Sequence, residues 1–183
     1  MRRGRRNLVT STVDAAPSVV WLACNVEREI VGFRQDDAGD WVAELDCHHG
    51  QHVRHRPPLW PRPWVETAAG RAEHIGSVLE CPLCERAELP EGLVVVRTAG
   101  PFDESTLPAA LRRNHRVARG TWGVLRVLEG CVHFTMQTEV PTQRDLRAGD
   151  RQPIPPGVLH AVALTAGRIE VDFLVPEPTS SGD

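Results

Sequence analysis

Gly149-Asp150-Arg151-Gln152-Pro153-Ile154-Pro155-Pro156-Gly157-Val158-Leu159-His160 sets Gly, Pro, Gly and His at fixed intervals toward the end of the chain. Each has a physical task. Gly149 and Gly157 permit turns with positive φ, and Pro155 fixes the entry to the next strand, on which His160 lies. Upstream and downstream of this segment the chain reads as short strands at 93–97, 111–117, 123–128, 131–137, 158–164 and 169–175. Glu129-Gly130 and Ala166-Gly167 are expected to close two of them into tight hairpins. Many short strands with little helix predict a sandwich or barrel over residues 89–176, followed by a polar tail at 177–183.

The whole chain has 183 residues, 41% of them hydrophobic and 25% charged, with a formal net charge of −3, which excludes a collagen-like or wholly disordered protein. No run approaches the roughly 20 apolar residues of a spanning helix, so no membrane partner is expected. All 21 cationic side chains are Arg and Tyr is absent, a pattern read as GC-rich coding bias and not as guanidinium chemistry. The five cysteines, at 24, 47, 81, 84 and 131, are an odd number, which argues for a reducing, cytoplasmic setting with thiols free for metal. Residues 1–25 carry Arg2, Arg3, Arg5 and Arg6, but polar groups at 10–14 interrupt the apolar core an export signal needs. That segment is read as a disordered leader or a mis-called start, with translation beginning at Val26.

Residues 26–88 open with a hairpin, since 28–34 and 41–46 are rich in β-branched and aromatic residues and the acidic, Gly-bearing 36–40 supplies the turn. Pro57, Pro58, Pro61 and Pro63 predict an extended excursion, after which Thr67 caps a short helix ending at Gly76. Two features then carry chemistry. Cys47-His48-His49-Gly50-Gln51-His52-Val53-Arg54-His55 packs one thiol and four imidazoles together, and Cys81-Pro82-Leu83-Cys84 has the spacing that turns two thiolates toward one ion. Cys47, His49, Cys81 and Cys84 are the expected ligands of a structural Zn²⁺, with His52 in reserve and His55 beside it or in solvent. The competing readings are unligated thiols with surface histidines, and a redox dithiol, which would need a βαβ setting absent here. Four protein ligands leave no open position for water, so the ion would cross-link a thin core and not catalyse. Nucleic acid is not an expected partner, because this segment carries a net charge of −5 and would repel phosphate.

Glu29-Ile30-Val31-Gly32-Phe33, Asp40 to Leu45, the Cys47 to Pro58 string and Arg62-Pro63-Trp64-Val65 together resemble a small bacterial domain-of-unknown-function family with a closing Cys-x-x-Cys. Position 48 is usually Gly in that family, so His48 departs from it. The 149–160 segment resembles the second cupin motif, although position 164 is Leu where an Asn often follows. The first cupin motif is degenerate, with His115 near its histidine pair, Gly123 in place of a glutamate and Gly130 at its close. Pro101-Phe102-Asp103, Leu107-Pro108-Ala109, Gly120-Thr121-Trp122-Gly123, Ile154-Pro155-Pro156, His160-Ala161-Val162 and Val171-Asp172-Phe173 are similar to the TehB/YeaR-like, tellurite-resistance-related cupin domain.

These readings give a mainly β, two-domain protein: a small α+β, zinc-ribbon-like N-terminal domain fused to a single cupin barrel. In the barrel, His115 and His160 would hold a second divalent metal if Asp172 or Glu170 joined them. The alternatives are an organic ligand or oxyanion held by His115, His160 and Trp122, and two histidines that only pack. The resemblance implies a small-ligand-binding or stress protein, directed at tellurite or a related oxyanion or metal. The competing function classes are a metal-dependent oxygenase or isomerase and a ligand-sensing regulator, and pairing of barrel edges predicts a homodimer.

Overall fold

The computed structural model describes residues 26–53, 62–138 and 140–178. The leader before Val26, the proline-rich 54–61 with His55, and the end of the tail lie outside the described residues.

Strand β1 (Glu27–Gln35) and β2 (Trp41–Leu45) form the expected hairpin. Its turn is built by chemistry written in the sequence: Asp36 Oδ1 accepts from the backbone N–H of Ala38 and of Asp40, both at 2.9 Å, and Gly39 takes φ +80°. β3 (Gly50–His52) pairs with β2, and β4 (Val78–Glu80) covers the other edge of β1, giving the order β3-β2-β1-β4. Between β3 and β4 runs α1 (Ala68–Glu73), whose first turn is satisfied by the Thr67 hydroxyl accepting from Gly70 N–H at 3.0 Å. The short α2 (Pro82–Glu85) follows β4 and carries Cys84.

The C-terminal half contains β5 (Leu93–Phe102), β6 (Trp122–Met136), β7 (Thr142–Arg147), β8 (Arg151–Ile154) and β9 (His160–Pro176). All pairings are antiparallel. β6 is central: β9 runs along its whole length from Trp122↔Leu174 to Met136↔His160, while β7 and β8 share its other side and β5 pairs with β9. The inner face is filled by Leu125, Val127, Val132, Phe134, Met136, Ile154, Val162, Leu164 and Ile169, all at most 5% exposed. This interior is a packed apolar core.

Three sequence expectations are corrected here. Glu129-Gly130 and Ala166-Gly167 are not hairpin turns. They face each other inside β6 and β9, where register shifts bend both strands together. A Cβ on Gly130 would lie 2.0 Å from the Ala166 carbonyl oxygen and one on Gly167 2.1 Å from that of Glu129, so the glycines permit a close backbone crossing. The strand expected at 111–117 is instead a 3₁₀ turn at Ala109–Arg112 followed by one isolated bridge, His115↔His160. Conversely, β7 and β8 escaped the sequence reading because both are polar edge segments, with Leu146 the one buried residue of β7 and Pro153 inside β8.

The two halves share a core. Trp122, Val124 and Leu174 of the barrel pack with Ile30, Ala43, Leu45, Cys47, Val53, Val65, Cys81 and Cys84. The indole N–H of the fully buried Trp122 donates to the Cys47 carbonyl at 2.9 Å. A small β-sheet that could not bury its inner face alone is thus closed by the outside of the barrel.

Candidate metal centre

Cys47 and His49 sit on the turn from β2 to β3. Leu45 N–H donates to the His49 carbonyl at 2.9 Å and His48 N–H to the Leu45 carbonyl at 2.8 Å, which tightens the turn until His48 is forced to φ +71°. Glycine adopts such a left-handed backbone without strain, whereas His48 must bear it. The side chain of His48 consequently leaves the site, and its Nε2 lies 2.8 Å from the Gly120 carbonyl of the barrel. Cys81 precedes α2 and Cys84 lies within it, so the Pro82-Leu83 turn brings both sulfurs to one side.

The Sγ atoms of Cys47, Cys81 and Cys84 lie 3.5, 3.4 and 3.6 Å from His49 Nδ1, and Cys47 Sγ is 3.9 Å from Cys81 Sγ. An ion with bonds of about 2.3 Å to sulfur and about 2.0 Å to nitrogen requires tetrahedral edges of about 3.8 Å between sulfurs and about 3.5 Å from sulfur to nitrogen. The three sulfur–nitrogen separations and the Cys47–Cys81 separation already have those values, and all four donor atoms lie within 4.8 Å of one another. All four residues are buried, and His49 is wedged edge-on against Trp122 with ring centroids 5.5 Å apart. Among the described residues this is the one group of three or more Cys, His, Asp or Glu able to hold a metal ion.

Without a cation, three thiols this close cannot all ionise. Hydrogen bonding to Cys81 pushes the Cys47 thiol up to about 12, hydrogen bonds with Cys47 and then Cys81 raise Cys84, and Cys81, accepting from both, is held far below the usual thiol range. A bound divalent cation would relieve that competition by stabilising all three thiolates.

His52 takes no part. Its Nε2 lies 2.8 Å from Asp36 Oδ2 at the hairpin turn, and that side chain is half exposed. The barrel histidines are brought together: His115 and His160 exchange both backbone hydrogen bonds, and their rings meet edge to face with centroids 5.3 Å apart. His160 is 2% exposed, its Nδ1 lies 3.1 Å from the Val158 carbonyl, and burial lowers its pKa to about 4, so it is a neutral imidazole at neutral pH. Asp172 does not join them. Its carboxylate is taken by Arg126, with Nε to Oδ2 at 2.7 Å, and by the Thr98 hydroxyl at 2.7 Å, while Glu170 also pairs with Arg126 at 2.6 Å. Trp122 is likewise elsewhere, its indole committed to the shared core and to Cys47.

Arg28 is the site residue that sequence reading missed. It occupies an inward position of β1 beside Ile30, is 7% exposed, and its Nε donates to Cys84 Sγ at 3.2 Å while Nη2 donates to the Pro156 carbonyl at 2.7 Å. A charge at a core-facing strand position was the available signal.

Fold and site define a mainly β protein that joins a buried Cys/His cluster to an antiparallel β domain. In particular, residues 31–88 match the family described as a protein of unknown function (DUF3565), and residues 97–172 match the TehB-like domain. The chain therefore has the layout of a DUF3565 region followed by a TehB-like domain. No curated protein matches it. Among solved structures, it is similar to TehB from Haemophilus influenzae (20% identity, 47% of this chain and 32% of that one, TM-score 0.43). A protein from Escherichia coli K12 is similar at 20% identity over 49% of this chain and 97% of that one, TM-score 0.44. An RmlC-like cupin from Shewanella frigidimarina is similar at 27% identity over 37% of this chain and 58% of that one, TM-score 0.29. The matched part thus spans about a third of the Haemophilus TehB chain.

Proposed function

We propose that this is a zinc-stapled ligand-binding protein of the stress or detoxification class, in which Cys47, His49, Cys81 and Cys84 hold one structural Zn²⁺. The convergence of four buried donors, all within 4.8 Å of one another, carries the reading. Three thiolates and one imidazole suit zinc, and a full set of four protein ligands leaves no coordination position for a reacting water. Ligation needs reduced thiols, which fits a cytoplasmic setting.

The barrel half takes a small molecule or oxyanion, tellurite among the candidates. Its interior is filled, so the ligand would lie in the groove of about 750 Å³ where the two halves meet, whose walls carry Arg116 and Arg119 beside Glu27, Glu29 and Asp46, with Arg119 paired to Glu29 at 2.7 Å. A homodimer through the exposed edge strand β5, where Val95 and Val96 are 51% and 58% exposed, accompanies this reading. The rival, a metal-dependent cupin enzyme, rests on the adjacency of His115 and His160 and requires iron or manganese that a His115→Ala/His160→Ala protein loses.

Elemental analysis of the purified full chain tests both. The expected result is one zinc per chain, absent from Cys81→Ser/Cys84→Ser. Wild type that contains no zinc and keeps its melting curve after chelation overturns the reading.

A further inference from the structure

The metal centre as described carries a charge that its four ligands do not balance. Three thiolates, a neutral imidazole and a divalent ion sum to one negative charge, enclosed among Leu45, Val53, Val65 and Trp122. An uncompensated charge in such surroundings is costly. Arg28 is the cation in contact with the cluster, through Nε–H to Cys84 Sγ at 3.2 Å, and it is buried on an otherwise apolar strand face.

We propose that Arg28 is the positioning residue of the metal centre, balancing the charge of the loaded site through Cys84 and tying that site to the barrel. The proposal rests on the metal reading above. The planar fork of the guanidinium explains the choice of Arg over Lys: one edge reaches the sulfur while another reaches Pro156, 2.7 Å away in the turn that leads into β9. That turn is itself fixed, since Gly157 N–H donates to the Val117 carbonyl at 2.9 Å. The barrel therefore orients the guanidinium, and the guanidinium orients Cys84 and stabilises it as a thiolate. Hydrogen-bonded partners of this kind set ligand geometry and tune affinity without touching the ion.

Co²⁺ and Zn²⁺ titrations of the metal-stripped full chain, in competition with a chromophoric chelator, test the role in wild type, Arg28→Met and Arg28→Lys. Arg28→Met should keep the thiolate-to-cobalt charge-transfer bands of a tetrahedral site but bind about 10- to 100-fold more weakly. Arg28→Lys, which keeps the charge but not the fork, should fall between. Wild-type affinity in Arg28→Met overturns the proposal, whereas failure of the wild type itself to bind either ion overturns the metal reading beneath it. Should Arg28→Met not fold, wild type loaded with NMR-active cadmium decides. A slowly exchanging Arg28 Nε–H with a scalar coupling to cadmium through Cys84 is expected, and a fast-exchanging, uncoupled Nε–H overturns the proposal.

Discussion

His160 illustrates how much one buried side chain can weigh. Burial favours its neutral form and sets its folded pKa at about 4, below the value of about 6.5 in an unfolded chain. Between those two values the unfolded state binds more protons, so stability present above pH 6.5 is lost as pH falls toward 4. The loss attributable to this ring is about 3 kcal/mol by pH 4. Denaturant midpoints measured from pH 7 to pH 4 for wild type and His160→Gln check it: the difference between the two curves isolates the histidine from the metal centre, and parallel curves refute the assignment. At this scale the sequence was informative where spacing constrains chemistry, as at Cys47-x-His49 and Cys81-x-x-Cys84. It was silent where a partner comes from far along the chain. Nothing near Arg28 announces Pro156, and nothing near Asp172 announces that Arg126 will claim its carboxylate ahead of any metal.

At the level of elements, Gly130 and Gly167 decide the shape of the barrel. Gly130→Ala should cost about 3 kcal/mol or more, because φ +76° is strained for an L residue and the added methyl meets the Ala166 carbonyl. Gly149→Ala is the control. It has φ +94° but nothing within 4 Å of the new Cβ, so about 1–2 kcal/mol of backbone strain is expected. Equal destabilisation of the two variants in chemical denaturation would show that the close crossing is unimportant. The same glycines explain the misplaced turns. A Glu-Gly pair between two apolar runs has the local chemistry of a hairpin, and only the partner strand, carrying its own glycine at the same level, reveals a bend. The β1–β2 turn and α1 were legible because Asp36, Gly39 and Thr67 act on residues within four positions of themselves.

For the whole molecule, the informative contact is Trp122. Its indole closes the Cys/His cluster from the barrel side, against the Cys47 carbonyl and the His49 ring, so the N-terminal sheet and the barrel should melt together. Trp122→Phe keeps most of the apolar volume but leaves the Cys47 carbonyl without its donor, a loss of about 1–3 kcal/mol. Calorimetry should then show a lower transition, and chelation of wild type should lower it further; an unchanged transition in both cases would mean that the halves are energetically independent. A two-part layout could be read from charge and motif, whereas a common core could not, because its members are separated by some of the longest intervals in the chain. Translation follows the same interval. All four donors precede Trp122 and Leu174 in the chain, so the wall that closes the cluster is the last part of its surroundings to be synthesised. An ion held by those donors would leave only as that wall comes away, which would make its residence time a property of the C-terminal half.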